Sequence, residues 1–185
     1  MSTAKTLEAG LNAATEQERL AALEELMTLY KEGTLEKPNK TNYVNNHIHT
    51  TYSFSPYSPT SAAYTAWKNG LVTAGIVDHD SVAGIKEFLK AGERIGIAVT
   101  SGFEVRCSME DTPFRGKRIN NPDQKSVAYV ACHGIPHQNI DKAEQWLAPY
   151  RANREKRNRK MVERINALLP DSQLHLDYDQ DVREI

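Results

Sequence analysis

The chain has 185 residues, 39% of them hydrophobic and 25% charged, with a net charge of −1, an ordinary globular composition with room for a core. The balanced charge gives no electrostatic drive toward nucleic acid, and no apolar run approaches the 18 or so residues of a membrane span. Met1-Ser2-Thr3-Ala4-Lys5 leads into no export-signal core, so Cys107 and Cys132 are read as reduced thiols of a cytoplasmic protein.

Residues 1–40 are expected to form a helical extension. Thr15-Glu16-Gln17-Glu18 has the form of a capping box, with Thr15 as N-cap and Glu18 reaching back. Leu20, Leu23, Met27 and Tyr30 then fall on one apolar stripe, which Gly33 closes. Packing against the outside of the main domain is the expected use of that stripe, ahead of dimerisation. Lys37-Pro38-Asn39-Lys40 reads as a linker into an α/β region over residues 41–185.

From Tyr43-Val44 the pattern changes to strands alternating with helices. His47 and His49 are two apart in an extended run, so both project to one face while Ile48 turns away. Residues 50–59 are a loop, and residues 60–68 a helix ending at Asn69-Gly70. Residues 71–77 are a short apolar run of strand length, halted by Asp78-His79-Asp80. Ser81 is expected to cap a helix burying Ile85, Phe88, Leu89 and Ile95, with Gly96 at its end. Residues 97–103 make a third strand stopping at Glu104, and residues 126–132 a fourth stopping at His133. Near-continuous apolar strands separated by helices predict a parallel sheet covered on both faces.

The ligand-type residues keep register with those strands. His47/His49, His79, Glu104 and His133 all fall at predicted strand ends, spaced one structural unit apart (30, 25 and 29 residues from His49 onward). In α/β folds the strand ends collect the functional side chains. Imidazoles gathered with a carboxylate point to a transition-metal site.

With these positions aligned, the chain resembles the PHP (polymerase and histidinol phosphatase) domain family. The resemblance is carried by His47-Ile48-His49-Thr50 with Tyr52-Ser53, by Gly75-Ile76-Val77-Asp78-His79-Asp80, by Ser101-Gly102-Phe103-Glu104, and by the strand ending at His133. It implies a distorted, TIM-like (β/α)7 barrel, of which only about four strand units are evident here behind the helical extension. It also implies a phosphoesterase with two or more divalent ions (Zn, Mn or Fe) and a metal-bridging hydroxide that attacks phosphorus. By the same resemblance His47 and His49 are ligands of a first ion, Glu104 is a bridging carboxylate, and His79 and His133 are ligands of a second. Glu104 and His133 are the expected catalytic residues. Asp78 is expected behind the ligands rather than among them.

The chain departs from the family pattern at three points. Phe54 and Ser55 stand where many members carry a further His or Asp; no Asp-x-His occurs; and His175 is the sole histidine after His137. These departures support a second reading, a degenerate PHP module that binds metal or plays a structural role without catalysis. The tail over residues 177–185 shows no cap or closing strand, so the chain is expected to be the N-terminal part of a longer protein that supplies the rest of the barrel.

A long connection over residues 108–125 brings Arg115, Lys117 and Arg118 after Glu104 and Arg106; Arg106, Arg115 and Arg118 are the candidates for gripping the phosphate of a small phosphorylated substrate. A solvated hairpin arm is the equal alternative. Tyr52, Ser53, Ser55 and Tyr57 are further candidates for substrate contact. His137 and His175 read as surface histidines, and Cys132 as packed on the face opposite His133. Residues 139–169 form one long helix or two, with Trp146, Leu147 and Tyr150 early and Met161, Ile165, Leu168 and Leu169 late as apolar positions. The basic run over residues 151–160 is read as a solvated helix face, since no aromatic interleaves it as a base-stacking nucleic-acid surface requires.

Overall fold

A computed structural model describes residues 3–169 and 175–183. Met1, Ser2 and residues 184–185 lie outside the described residues. The chain divides into two compact units, Met1–Glu144 and Gln145–Ile185.

The first unit is built on a four-stranded sheet in the order β1 (Val44–Ile48), β2 (Thr73–His79), β3 (Ala98–Ser108), β4 (Val127–His133). β1, β2 and β3 are parallel, joined by right-length crossovers through α3 (Pro59–Lys68) and α4 (Ile85–Ile95). β4 runs antiparallel to β3, which corrects the expectation of an all-parallel sheet. The reason lies in the connection. Residues 109–126 contain no helix, and a parallel neighbour needs a crossover that such a loop does not supply. β3 also runs four residues beyond Glu104 instead of stopping there, because Glu104 to Ser108 stay paired with Ala131 to Val127.

α3 begins as its sequence dictates. Ser58 accepts from the Ser61 amide and Pro59 occupies the first turn. α4 begins later than expected, at Ile85 behind Gly84. Ser81 Oγ is spent on the Ala83 amide at 3.2 Å and caps a turn instead of the helix. Gly96 ends α4 in the left-handed region, at φ 74°. These helices lie against the sheet face carrying Ile76 and Val99. A Cβ on Gly92 of α4 would stand 2.5 Å from Val99 Cγ1, so only glycine permits that approach.

Outside α3 and α4 sit α1 (Thr3–Gly10) and α2 (Glu16–Lys31). Both halves of the capping box at Thr15 and Glu18 form, and Leu20, Leu23, Met27 and Tyr30 are buried together with Leu26. Thr34 N–H reaches Leu29 O behind Gly33, closing the helix as the glycine predicts. The layer is fastened by a buried ion pair. Arg19 donates Nε to Glu87 Oε1 at 2.8 Å and Nη2 to Oε2 at 2.6 Å, while the Thr60 amide and hydroxyl fill the remaining acceptor positions on Oε1. Ser58 N–H donates to Asn12 Oδ1 and Tyr30 meets Tyr64, hydroxyl to hydroxyl, at 3.0 Å.

α5 (Ile140–Leu168) is one helix that passes through Pro149 and spans the boundary of the two units. In the second unit Arg159 binds Asp179 through two hydrogen bonds of 2.9 Å and lies over the Tyr178 ring. Asn166 exchanges a pair of bonds with the Leu176 backbone. The late apolar positions are not a buried stripe: Met161, Ile165, Leu168 and Leu169 are exposed, while Val162 and Tyr178 are buried. Asp177 accepts the amides of Asp179 and Gln180 and so caps the start of the last turn. No helix among the described residues is long and apolar enough to cross a membrane.

Candidate metal centre

The site lies on the sheet face opposite α3 and α4. In the parallel register Val77, His79 and Glu104 share that face with Gly75 and Gly102, because His79 pairs with Glu104 and side chains alternate. β1 reaches it by an irregularity. Asn45 pairs with Ala74 and Ile48 with Ile76, so three steps of β1 match two of β2. Such a bulge places both Asn46 and His47 toward one face and re-aims the strand end. The Asn45 side chain takes the His47 amide at 3.0 Å, and Asn46 Oδ1 accepts from Thr100 Oγ1 across Gly75. Alternation holds from His47 to His49, with Ile48 turned to the opposite face beside Ile76; what the bulge adds is that Asn46 shares the site face with His47.

Three imidazoles face one carboxylate oxygen. His47 Nε2, His49 Nε2 and His79 Nδ1 stand 3.8, 3.7 and 3.3 Å from Glu104 Oε2. Two donors bonded to one ion at about 2.1 Å are at most about 4.2 Å apart, so every one of these separations fits a shared ion. His47, His49 and Glu104 in particular offer one ligand atom each, all within 4.8 Å of one another. Nitrogen and carboxylate donors together suit Zn, Mn or Fe. The His49 and His79 rings stack at 4.8 Å and 21°.

The protonation of His49 follows from its neighbours. Burial, then the adjacent His79 and His47 rings, pushes its pKa below the ordinary value and keeps the ring neutral. Its Nδ1 lies 3.3 Å from Ser53 Oγ, and Ser53 Oγ donates to Asp78 Oδ1 at 2.7 Å. With its proton given to Asp78, the serine oxygen is left to accept the His49 Nδ1–H. That leaves the Nε2 lone pair directed at Glu104, as a ligand requires. Asp78 is itself buried and also accepts the Thr50 amide and hydroxyl, both at 2.6 Å. It anchors the loop after β1 from behind the ligands.

The remaining expected residues are placed less tightly. His133 shares the site face, because it pairs with Gly102, and its ring centre is 6.5 Å from that of His47. It is exposed, and as the last residue of an antiparallel strand it approaches from the opposite direction to the other ligands. Arg106 follows Glu104 on the same face, 5.9 Å above the Tyr129 ring, and also donates to Gln124. The Tyr129 ring in turn lies 5.5 Å from His79. Arg115 is on the hairpin connection, paired with Glu110 at 3.1 Å, and Arg118 donates to Pro122 O. That connection also seals the outer edge of β4, where Asn120 exchanges two bonds with the Tyr129 backbone at 2.8 and 2.9 Å. His137 and His175 are exposed, and Cys132 is exposed rather than packed.

Two features were missed in the sequence. One is the Asp78–Ser53–His49 chain, although Ser53 four residues after His49 and an acid beside His79 were both visible. The other is Phe54. Its ring lies 4.5 Å from His49 and 5.3 Å from His79, against the imidazoles themselves. A cavity of about 490 Å³ opens at the other end of the strands, beside Trp67, Leu71 and Ile97, and none of the candidate ligands lines it.

Residues 45–180 match the PHP domain family. A stretch of 64 residues is 34% identical to a 5'-3' exoribonuclease of Haemophilus influenzae, covering 35% of this chain and 23% of that protein. A solved structure from Bifidobacterium adolescentis, described as a candidate metal-dependent phosphoesterase, superposes with a TM-score of 0.55 at 27% identity. That match covers 75% of this chain and 42% of the other. The chain thus spans less than half the length of either protein, and its α/β sheet corresponds to part of a barrel.

Proposed function

Because this chain belongs to the PHP domain family, we propose that it is a metal-dependent phosphoesterase acting at the rim formed by His47, His49, His79, Glu104 and His133. The observation that carries the reading is the convergence of three imidazole nitrogens within 3.8 Å of one buried carboxylate oxygen. Divalent ions held there supply Lewis acidity, activating water and neutralising charge that grows on the phosphoryl oxygens. The chain's own residues do the rest. Glu104 and the imidazoles hold the ions, and the Ser53–Asp78 pair keeps His49 in the ligating tautomer. Arg106, on the same face, grips a phosphoryl oxygen. His133, exposed at the end of β4, protonates the departing ester oxygen.

Purified protein is expected to contain Mn, Zn or Fe by elemental analysis, and to release phosphate from a monoester or cleave a diester when Mn²⁺ or Zn²⁺ is supplied. The Haemophilus influenzae relative is an exoribonuclease, so an RNA diester belongs among the esters tried. His49→Ala and Glu104→Ala should each cut the bound metal; unchanged stoichiometry in both would remove this site from consideration. Metal retained with no turnover of either ester class leaves the second reading, a PHP module that binds ions without catalysis. The observation on its side is Phe54, an apolar ring where many family members place a ligand.

A further inference from the structure

Phe54 is 70% exposed, although phenylalanine belongs among the side chains most often buried. Its ring is nevertheless held in place. One face lies on the His49 and His79 imidazoles, at 4.5 and 5.3 Å, with interplanar angles of 36° and 31°. The backbone on both sides of it is tied to Thr50: the Ser53 amide donates to Thr50 O at 3.0 Å and the Ser55 amide at 3.2 Å. Thr50 is fully buried and bound twice to Asp78, to which Ser53 also donates. An exposed aromatic ring on a loop this firmly anchored loses little entropy when something stacks on it.

From this geometry we infer that Phe54 is a stacking platform for the nucleobase of a nucleotide phosphate ester. The inference rests on the reading of the rim as a phosphoesterase centre and adds the substrate class. The free face of Phe54 is planar and apolar, so it selects a flat π-system over a sugar or polyol. Its position sets how that flat group is joined to phosphorus. Phe54 is separated from Glu104 by the width of an imidazole, since His49 touches both. A ring esterified directly to phosphorus, as in an aryl phosphate, is too close to the reacting atom to reach it. A base held one sugar away has the needed span. A free nucleotide and the terminal residue of an oligonucleotide present the same base, sugar and phosphate.

The test compares binding of AMP, ribose 5-phosphate and phenyl phosphate to the Mn²⁺-loaded protein by calorimetry. The expected result is AMP tighter than ribose 5-phosphate by about tenfold, within the usual contribution of one base stacked on an aromatic side chain. That ratio should fall toward one in Phe54→Leu, which keeps an apolar cover on the imidazoles but offers no π face, and persist in Phe54→Trp. Phenyl phosphate should show no preference that Phe54→Leu abolishes. A 5'-phosphorylated dinucleotide binding tighter than AMP identifies a polymer end as the ligand, and equal binding identifies the free nucleotide. Equal affinity of the wild type for AMP and ribose 5-phosphate overturns the inference, as does a ratio left intact by Phe54→Leu. Discrimination for AMP without hydrolysis of any ester removes the phosphoesterase reading while the platform stands.

Discussion

Glu87 in the helical layer and Glu104 on the sheet are almost equally withdrawn from solvent, at 3% and 8% exposure, yet their surroundings are opposite. Glu87 is answered in full. A bidentate guanidinium, a hydroxyl and an amide meet its two oxygens at 2.6–3.1 Å. Glu104 faces three imidazoles at 3.3–3.8 Å, and His49 among them is held neutral by burial and by the neighbouring rings. The first arrangement is complete as it stands and joins α2, α3 and α4. The second gathers imidazole nitrogens and a carboxylate oxygen at separations that fit a shared ion. Burying a charge costs several kcal/mol unless it is paired, so the difference separates a carboxylate answered within the fold from one set in a cluster of the residue types that hold metal ions.

The comparison breaks most visibly at the ion pair. Arg19→Ala leaves Glu87 buried without its partner and should cost about 3–5 kcal/mol in chemical denaturation. Arg19→Met with Glu87→Leu together should restore much of that loss, since both charges then disappear. A small effect of Arg19→Ala would mean that α2 is not fastened to α3 and α4 through Glu87. At the rim the corresponding change is Ser53→Ala, which frees the His49 Nδ1 from its acceptor. Metal affinity should drop about tenfold or more, with the ¹⁵N resonances of His49 shifting toward a mixture of tautomers. A structural serine would leave those resonances unchanged.

Acid provides the finest division between the two regions. The His49 pKa lies below its ordinary 6.5, so in the metal-free protein its contribution is present above 6.5 and is lost as pH falls through the window beneath. Burial works to raise the Glu87 pKa, but Arg19 and Thr60 outweigh it and hold the group below the ordinary 4.5. Its contribution is therefore present above 4.5 and lost as pH falls through the folded value. Melting temperatures of metal-free protein from pH 7 to pH 3 should decline in two stages. His49→Gln should flatten the upper stage and Glu87→Gln the lower, and a single stage touched by both variants would contradict the assignment.

Much of the local structure was legible along the chain. The capping box at Thr15, the buried stripe from Leu20 to Tyr30 and the glycine ends of α2 and α4 all depend on residues close in sequence. The direction of β4 was legible too, in the helix-free connection after Ser108, but the expectation of a parallel sheet prevailed over it. The bulge at Asn46 and His47 left no such trace, because it depends on how Gly75 and Thr100 pack against β1.

By itself the amino-acid order determined which elements form, where most of them end, and which ligand-type side chains recur one strand–helix or strand–loop unit apart. Those outcomes follow from capping, periodicity and backbone preference, which act over a few residues. Only the tertiary structure decided that Arg19 answers Glu87 across 68 positions, that Ser53 and Asp78 orient His49, and that Phe54 rests on the imidazoles instead of replacing one. Each depends on where separate segments meet, and that is settled by packing around the sheet rather than by any neighbour in the chain.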